Sequence, residues 1–271
     1  MSQDERYLIF AHYHSDGLIR KDIRNFLYES RKYFKKIVFI STKVNQKELK
    51  KISNNVKIIK RKNIGYDFYS YKIGFEYIRK ISKNNFDNKK LYFINSSILF
   101  VDPKKIIKSV NKIVIKKNEF WGLSRSLELT DHIQSYCFFF CASLFQNKDI
   151  LHWWKKIKPL NAHYKIILKY ELGLSKLMIR NNIQLKSVYK KNIDLKTNNI
   201  FKKIAQRFNE VFFKTPKFYK KDPTHYFWND FYRLFGIVKI RLIKDNDKKY
   251  NLNELYKLLK RKKILDEAIN N

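Results

Sequence analysis

Four short apolar runs alternate with stretches of helical periodicity over the first hundred residues, and that alternation leaves few folds open. Tyr7–Ala11, Ile37–Ser41, Val56–Ile59 and Leu91–Ile94 are almost wholly apolar and too short for helices. Runs of this kind, without polar alternation, read as strands, Tyr7–Ala11 and Ile37–Ser41 as buried ones. Between them Ile19, Ile23, Phe26, Leu27 and Phe34 fall at helical spacing, Lys47–Ile52 makes a short helix, and Phe68–Ile81 a longer one. The order β-α-β-α-β-α-β predicts an α/β fold, a parallel sheet with helices on both faces. Ligands of such sheets bind beyond the carboxyl ends of the strands. That rule predicts one crevice framed by His12–Gly17, Ser41–Lys43, Arg61–Asp67 and Asn95–Ser97.

The pattern changes after residue 100. The sequence predicts a basic helix over Pro103–Val110, a strand over Phe120–Ser124, and a β-rich run over Tyr136–Cys141. A helix over Leu168–Arg180 and a strand over Gln184–Tyr189 follow. Cys137 and Cys141 sit at even spacing on the β-rich run, so they share one face and pack as small hydrophobes. From Lys190 onward the chain is rich in Asn and Lys, which divides it into residues 1–190, the ligand-binding domain, and 191–271, a basic helical C-terminal extension packing on that domain. In the extension Phe201, Ile204, Ala205, Phe208, Val211 and Phe212 form one apolar stripe, and a second basic helix runs over Asn253–Ala268.

Charge narrows the function classes. Lys and Arg number 59 against 24 Asp and Glu, a formal net charge of +35, while 44% hydrophobic residues supply a real core and exclude disorder. Two cysteines are too few for a disulfide framework, which fits a reducing, cytoplasmic setting. The longest nearly uncharged apolar stretch, Tyr136 to Phe145, is shorter than the roughly 17–25 residues a spanning helix needs, and the N-terminus lacks the basic region of a signal peptide. The lysines are dispersed, with no zinc-finger or RNP-type motif, so no nucleic-acid partner is expected. Basic amphipathic helices suit an anionic membrane surface better, at the inner face of the cytoplasmic membrane.

One constellation carries chemistry. The fourth strand runs straight into Asn95-Ser96-Ser97, an Asn63-x-Gly65 loop precedes it by about thirty residues, and Glu171 follows some seventy residues later, before a helix that leads into a strand. Gly65 lets the backbone approach a ligand closely. Asp67 is placed either in the site or as the N-cap of the following helix. Glu171 is the candidate general base: a carboxylate at a helix start is kept ionised by the helix dipole.

Seven blocks in order give a specific resemblance: Ala11-His12-Tyr13-His14-Ser15-Asp16-Gly17, Arg61 to Phe68, Asn95-Ser96-Ser97, Phe120-Trp121-Gly122-Leu123, His132-Ile133-Gln134-Ser135-Tyr136, Tyr170-Glu171-Leu172-Gly173-Leu174 and Asp222 to Trp228. In these the chain resembles the rhamnan synthesis protein F family of polysaccharide glycosyltransferases, from residue 6 to about 247. The resemblance implies a GT-A-like half-Rossmann sheet and transfer of a sugar, rhamnose favoured, from a nucleotide-sugar donor (dTDP-rhamnose favoured) to a growing, lipid-linked surface glycan. It implies donor contacts from His12, Asp16, Gly17, Arg61, Asn63, Gly65, Asp67, Asn95 and Ser97, acceptor contacts from Trp121, His132 and Gln134, and catalysis by Glu171. A divalent cation, Mg2+ or Mn2+, belongs at the strand-end triplet of such enzymes, yet the family's usual aspartate is Ser96 here. The metal site is therefore left unassigned, with Asp67 or His225 as fallback ligands and Arg61, Lys62 or other cations as the alternative counter-charge. The competing functions are a catalytically inactive binding protein on the same fold and a basic nucleic-acid-binding protein.

Overall fold

The computed structural model describes residues 5–52, 54–82, 85–127, 129–191, 222–246 and 250–269. The elements run β1 (Arg6–His12), α1 (Lys21–Ser30), β2 (Lys36–Ser41), α2 (Gln46–Leu49), β3 (Val56–Lys60), α3 (Tyr66–Ser82), β4 (Lys90–Asn95), β5 (Ile98–Phe100) and α4 (Pro103–Asn111). They continue β6 (Glu119–Gly122), β7 (Arg125–Ser126), β8 (His132–Ile133), β9 (Cys137–Cys141), α5 (Lys148–Lys155), α6 (His163–Ile166), α7 (Leu172–Arg180) and β10 (Gln184–Ser187). Beyond these lie β11 (Ile237–Lys239) and the helices Pro223–Tyr226, Trp228–Phe235, Ile240–Lys244, Asn253–Arg261 and Leu265–Ile269.

Seven strands form the main sheet in the order β10-β6-β9-β4-β1-β2-β3. The four strands expected from the apolar runs are parallel neighbours, and β9 alone runs antiparallel, between β4 and β6. This is the expected α/β half-Rossmann arrangement, a mostly parallel sheet closed by helices on both faces.

Strand periodicity sends alternate side chains to opposite layers. From β1, Ile9 and Ala11 join Phe68, Tyr71, Phe75 and Ile78 of α3 and Trp154 of α5. Leu8 and Phe10 join Ile23, Phe26 and Leu27 of α1 and Ile106, Ile107 and Val110 of α4. On β9 Phe138 and Phe140 take the first layer, while Cys137, Phe139 and Cys141 share the second, as the even spacing predicted. Gly74 of α3 lies against β1 and β2, where a Cβ would come within 2.4 Å of the Ile9 side chain.

A third apolar cluster joins Leu99 and Val101 to Val238, Leu242, Leu255 and Leu259. It forms because β11 pairs antiparallel with β5, the strand that follows the polar triplet. One boundary differs from expectation. The helix predicted over Asn253–Ala268 stops at Arg261, where Lys263 turns to a positive φ of 56° and the buried Ile264 donates its N–H to Leu259 O at 3.1 Å. That is a Schellman ending with lysine in the usual glycine place. The basic helix expected around Phe201–Lys214 lies outside the described residues. No helix among the described residues is long and apolar enough to cross a membrane.

Candidate active site

A crevice of about 760 Å³ opens at the carboxyl ends of β1 to β4. Its floor comes from His12, Thr42, Asn63 to Asp67 and Asn95 to Ser97, the segments that the topology predicted. One wall comes from Gln134, Ser135 and Tyr136 with His163 and Glu171, the other from Asp222, His225, Lys239, Arg241 and Lys244.

The triplet is braced from beneath. Arg20 and Asp22 form a fully buried ion pair at 2.9 Å. The guanidinium also donates to Ser96 O (3.0 Å) and Ile98 O (2.8 Å), while Asp22 accepts from Phe100 N at 2.9 Å. Above this clamp Asn95 Nδ2 donates to Asp67 Oδ2 at 2.6 Å, and Asn95 Oδ1 accepts from Ser97 N and Ser97 Oγ. Ser96 Oγ accepts from Tyr13 N at 3.1 Å and donates to Tyr13 O at 3.2 Å.

These bonds decide how well the triplet suits the implied divalent cation. The polar atoms of Asn95 and the hydroxyl of Ser96 are committed within the loop. Ser97 Oγ faces an ammonium, Lys239 Nζ, at 3.4 Å. Among the described residues no three His, Cys, Asp or Glu side chains group to hold an ion. A hard cation wants one or two carboxylates at such a position; the triplet supplies none, and the neighbouring Asp67 already accepts from Asn95 and faces the Lys239 ammonium, so these residues do not fit one.

Asp67 and Glu171 are set differently. Burial pushes the Asp67 carboxyl up to about 6, against Lys239, Arg61 and the Asn95 amide. Glu171 accepts from Ser135 N at 3.0 Å and from Ser135 Oγ, and its Oε1 lies 3.3 Å from His132 Nε2. Burial opposes its ionisation, but the bonds from His132 and Ser135 outweigh burial and hold the carboxyl below its ordinary range. The helix dipole is not the cause. Glu171 does not open a helix: it ends a π-helical stretch, Ile167–Glu171, inside a continuous helical run that begins at His163 and continues into α7. Such π segments recur at functional sites. His132 Nδ1 lies 2.7 Å from Thr130 O. A carbonyl only accepts, so Nδ1 carries a proton, and the bond from Nε2 to Glu171 is donated by the ring protonated at both nitrogens.

The other expected site residues divide. His12 lines the crevice, bonded through Nδ1 to Ser41 Oγ at 2.8 Å, and burial lowers its pKa to about 3, so it is neutral. Asn63 and Gly65 line it too. Gly65 has a φ of +74°, and a Cβ there would sit 2.6 Å from Pro159 Cα, so packing as well as backbone conformation requires glycine. Asp67 is in the first turn of α3 and is not its N-cap. Gln134 lines the crevice with its amide spent on Ser124 and Asp222.

Five residues stand outside the lining. Asp16 and Gly17 form a turn pinned to Asn45. Arg61 directs its guanidinium at Ser70 Oγ and at the carbonyls of Lys62, Ile64 and Tyr66, bracing the loop. Trp121 donates to Glu119 Oε2 at 2.8 Å and stacks on Phe139. His132 is buried behind Glu171. Sequence reasoning missed Lys239 and the Arg20–Asp22 clamp. The signal for Lys239 was a lone lysine inside the apolar run Gly236-Ile237-Val238-Lys239-Ile240.

Comparison with known proteins adds the following. A sequence profile of the family described as "Rhamnan synthesis protein F" matches residues 37–217. The chain is 28% identical over 208 residues to "Virulence protein VirA" of Vibrio anguillarum, covering 73% of this chain and 65% of that protein. It is 27% identical over 136 residues to "Uncharacterized protein y4gN" of Sinorhizobium fredii, covering 49% of this chain and 34% of that one. The chain thus spans less than two thirds of either relative. Among solved structures it is similar to the glycosyltransferase GlyE of Streptococcus pneumoniae, with 12% identity, a TM-score of 0.38, and coverage of 77% of this chain and 50% of that one. It is similar also to the mannosyltransferase PcManGT of Pyrobaculum calidifontis, solved with GDP-Man and Mn2+, with 5% identity, a TM-score of 0.34, and coverage of 53% and 46%.

Proposed function

The chain belongs to the rhamnan synthesis protein F family, and we propose that it is a glycosyltransferase that moves a sugar, rhamnose in the first instance, from a nucleotide diphosphate donor to a lipid-linked glycan. The observation that carries this reading is the crevice itself, where the Asn63–Asp67 loop and the Asn95–Ser97 triplet face Glu171 across about 760 Å³. The donor's nucleotide and sugar lie over the strand ends, against His12, Asn63, Asp67 and Ser97. The acceptor hydroxyl enters from the side of Glu171.

In the transfer step the acceptor oxygen bonds the anomeric carbon, the bond from that carbon to the phosphate oxygen breaks, and its electron pair leaves with the nucleoside diphosphate. The acceptor's proton passes to the Glu171 carboxylate. Glu171 is ionised across the neutral range, and His132 behind it shares the charge change. Asp67, on the donor side, accepts hydrogen bonds from a sugar or ribose hydroxyl.

Glu171→Gln keeps the shape and an acceptor for Ser135. It should lower transfer by about 10²- to 10⁴-fold, the usual contribution of a general base, while donor binding by calorimetry stays intact. Retained turnover would sink the role of Glu171. Donor binding lost together with turnover would mean that the residue shapes the pocket and does not take the proton.

A further inference from the structure

One cation at the centre of the crevice is accounted for neither by the motif blocks nor by the needs of the fold. Lys239 ends β11, where it is paired with Ile98, the residue directly after the Asn95-Ser96-Ser97 triplet. Among the described residues its Nζ makes one long hydrogen bond, 3.4 Å to Ser97 Oγ, and stands 4.0 Å from the centroid of the Tyr136 ring. An ammonium carries three N–H donors, so most of its capacity faces the crevice. The carboxylates of Asp222, Glu171 and Asp67 act on it through space and oppose the loss of its proton that burial favours.

Two other cations, one in the nucleotide loop and one in the crevice wall, are differently placed. The Arg61 guanidinium is spent on loop carbonyls and Ser70, and Arg241 pairs with Asp245 at 3.0 Å. Lys239 is the cation held at the strand-end triplet, where Ser96 replaces the aspartate expected of a metal-binding relative.

We infer that Lys239 is the diphosphate-binding cation of this crevice, supplying at the end of β4 the positive charge that a divalent ion supplies in metal-dependent transferases. The inference rests on the nucleotide-sugar reading above and specifies how that donor is held. As the bond from the anomeric carbon to oxygen breaks, the electron pair settles on the terminal phosphate oxygen, and the ammonium donates a charge-assisted hydrogen bond to it. No proton need leave Lys239, because the acceptor's proton goes to Glu171. The strand pairing of β11 and the face of Tyr136 fix the ammonium in advance, so it needs no rearrangement when charge develops.

Calorimetry on the full chain with dTDP, UDP and GDP, first in EDTA and then with MnCl2, tests this. At least one nucleotide should bind in EDTA, with affinity changed by no more than about twofold on adding Mn2+. A charge-assisted hydrogen bond is worth about 1.5–3 kcal/mol, so Lys239→Met should weaken that nucleotide about 10- to 100-fold and the matching monophosphate less. Lys239→Arg should keep most of the affinity. Binding that appears only with Mn2+, or Lys239→Met binding as tightly as the parent, overturns the assignment and leaves the crevice reading standing. If none of the three nucleotides binds in either condition, the crevice reading itself fails. Should Lys239→Met not fold, Lys239→Gln carries the same comparison, and the EDTA and Mn2+ arms on the parent chain still decide metal dependence.

Discussion

Asp67 and Glu171 face one crevice with opposite electrostatic settings, and each setting predicts a different pH response. The groups facing Asp67 are Lys239 of β11, Arg61 of the preceding loop, the Asn95 amide of β4 and the Glu171 carboxylate. With its carboxyl raised to about 6, Asp67 protonates as pH falls through that value, so kcat/KM should drop on the acid side near pH 6. Asp67→Asn should remove that limb and lower kcat/KM at pH 7.5. The stability sign runs the other way. An acid whose folded pKa is raised loses folded-state stability as pH climbs from its unfolded value through its folded one. Asp67→Asn should therefore melt higher than the parent by roughly a few degrees at pH 7.5, and not at pH 4; an unchanged melting temperature at pH 7.5 would refute the strained carboxylate. Arg20 predicts the reverse. Its pair with Asp22 has side chains fully excluded from solvent, so Arg20→Met leaves a buried carboxylate without its partner, a loss on the order of 3–5 kcal/mol measurable by urea unfolding. The Ser96 and Ile98 carbonyls lose their donors as well.

At the scale of elements, β11 owes its place to a turn. Gly236 closes the helix Trp228–Phe235 with a φ of +65°, and a Cβ there would lie 2.4 Å from Asp102 O. Gly236→Ala meets both a left-handed backbone, which costs an L-residue roughly 1–2 kcal/mol, and a backbone clash that pushes β11 off β5. It should lower stability by more than that backbone term and weaken nucleoside diphosphate binding, because Lys239 moves with the strand. Stability lost with binding unchanged would show that β11 does not set the ammonium. The same elements explain what could be read in advance. The strands β1, β2 and β4 were legible because each is buried on both faces, which leaves an unbroken apolar run. The edge strand β3, with Lys57 and Lys60 exposed, was legible from Val56, Ile58 and Ile59, and the crevice followed from the order of the four. The pairing of β5 with β11 was not, because each has three residues and 137 positions separate Phe100 from Ile237. Glu171 was legible as a residue and misread as a helix start, since periodicity does not distinguish an α-helix from a π turn within it. Lys239 belongs to no motif block; only the strand pairing brings it to the triplet.

At the scale of the molecule, the +35 charge and the crevice are two separate electrostatic devices. Inside, Asp67, Glu171 and Asp222 surround a central lysine, and neutral polar groups fill the rest of the floor. On the proposed reading such a site selects a diphosphate by position, since an overall basic field cannot discriminate among anions. Outside, an excess of Lys and Arg exerts a longer-range field, which in the proposed function would draw in anionic donors and favour anionic surfaces. A lipid-linked acceptor makes that second effect useful, because near an acidic bilayer each Lys or Arg contributes about 1 kcal/mol. Co-sedimentation with vesicles of phosphatidylcholine, with and without phosphatidylglycerol, reads this separately from the site. The chain should pellet with the acidic vesicles at about 0.1 M salt and be released towards 1 M, where the screening length falls from about 10 Å to about 3 Å. Lys239→Met should pellet like the parent, since one crevice lysine among 59 Lys and Arg residues adds little to the outer field. Absence of vesicle binding at low salt would remove membrane attachment as the meaning of the charge. Equal binding to uncharged vesicles would assign it instead to an apolar face.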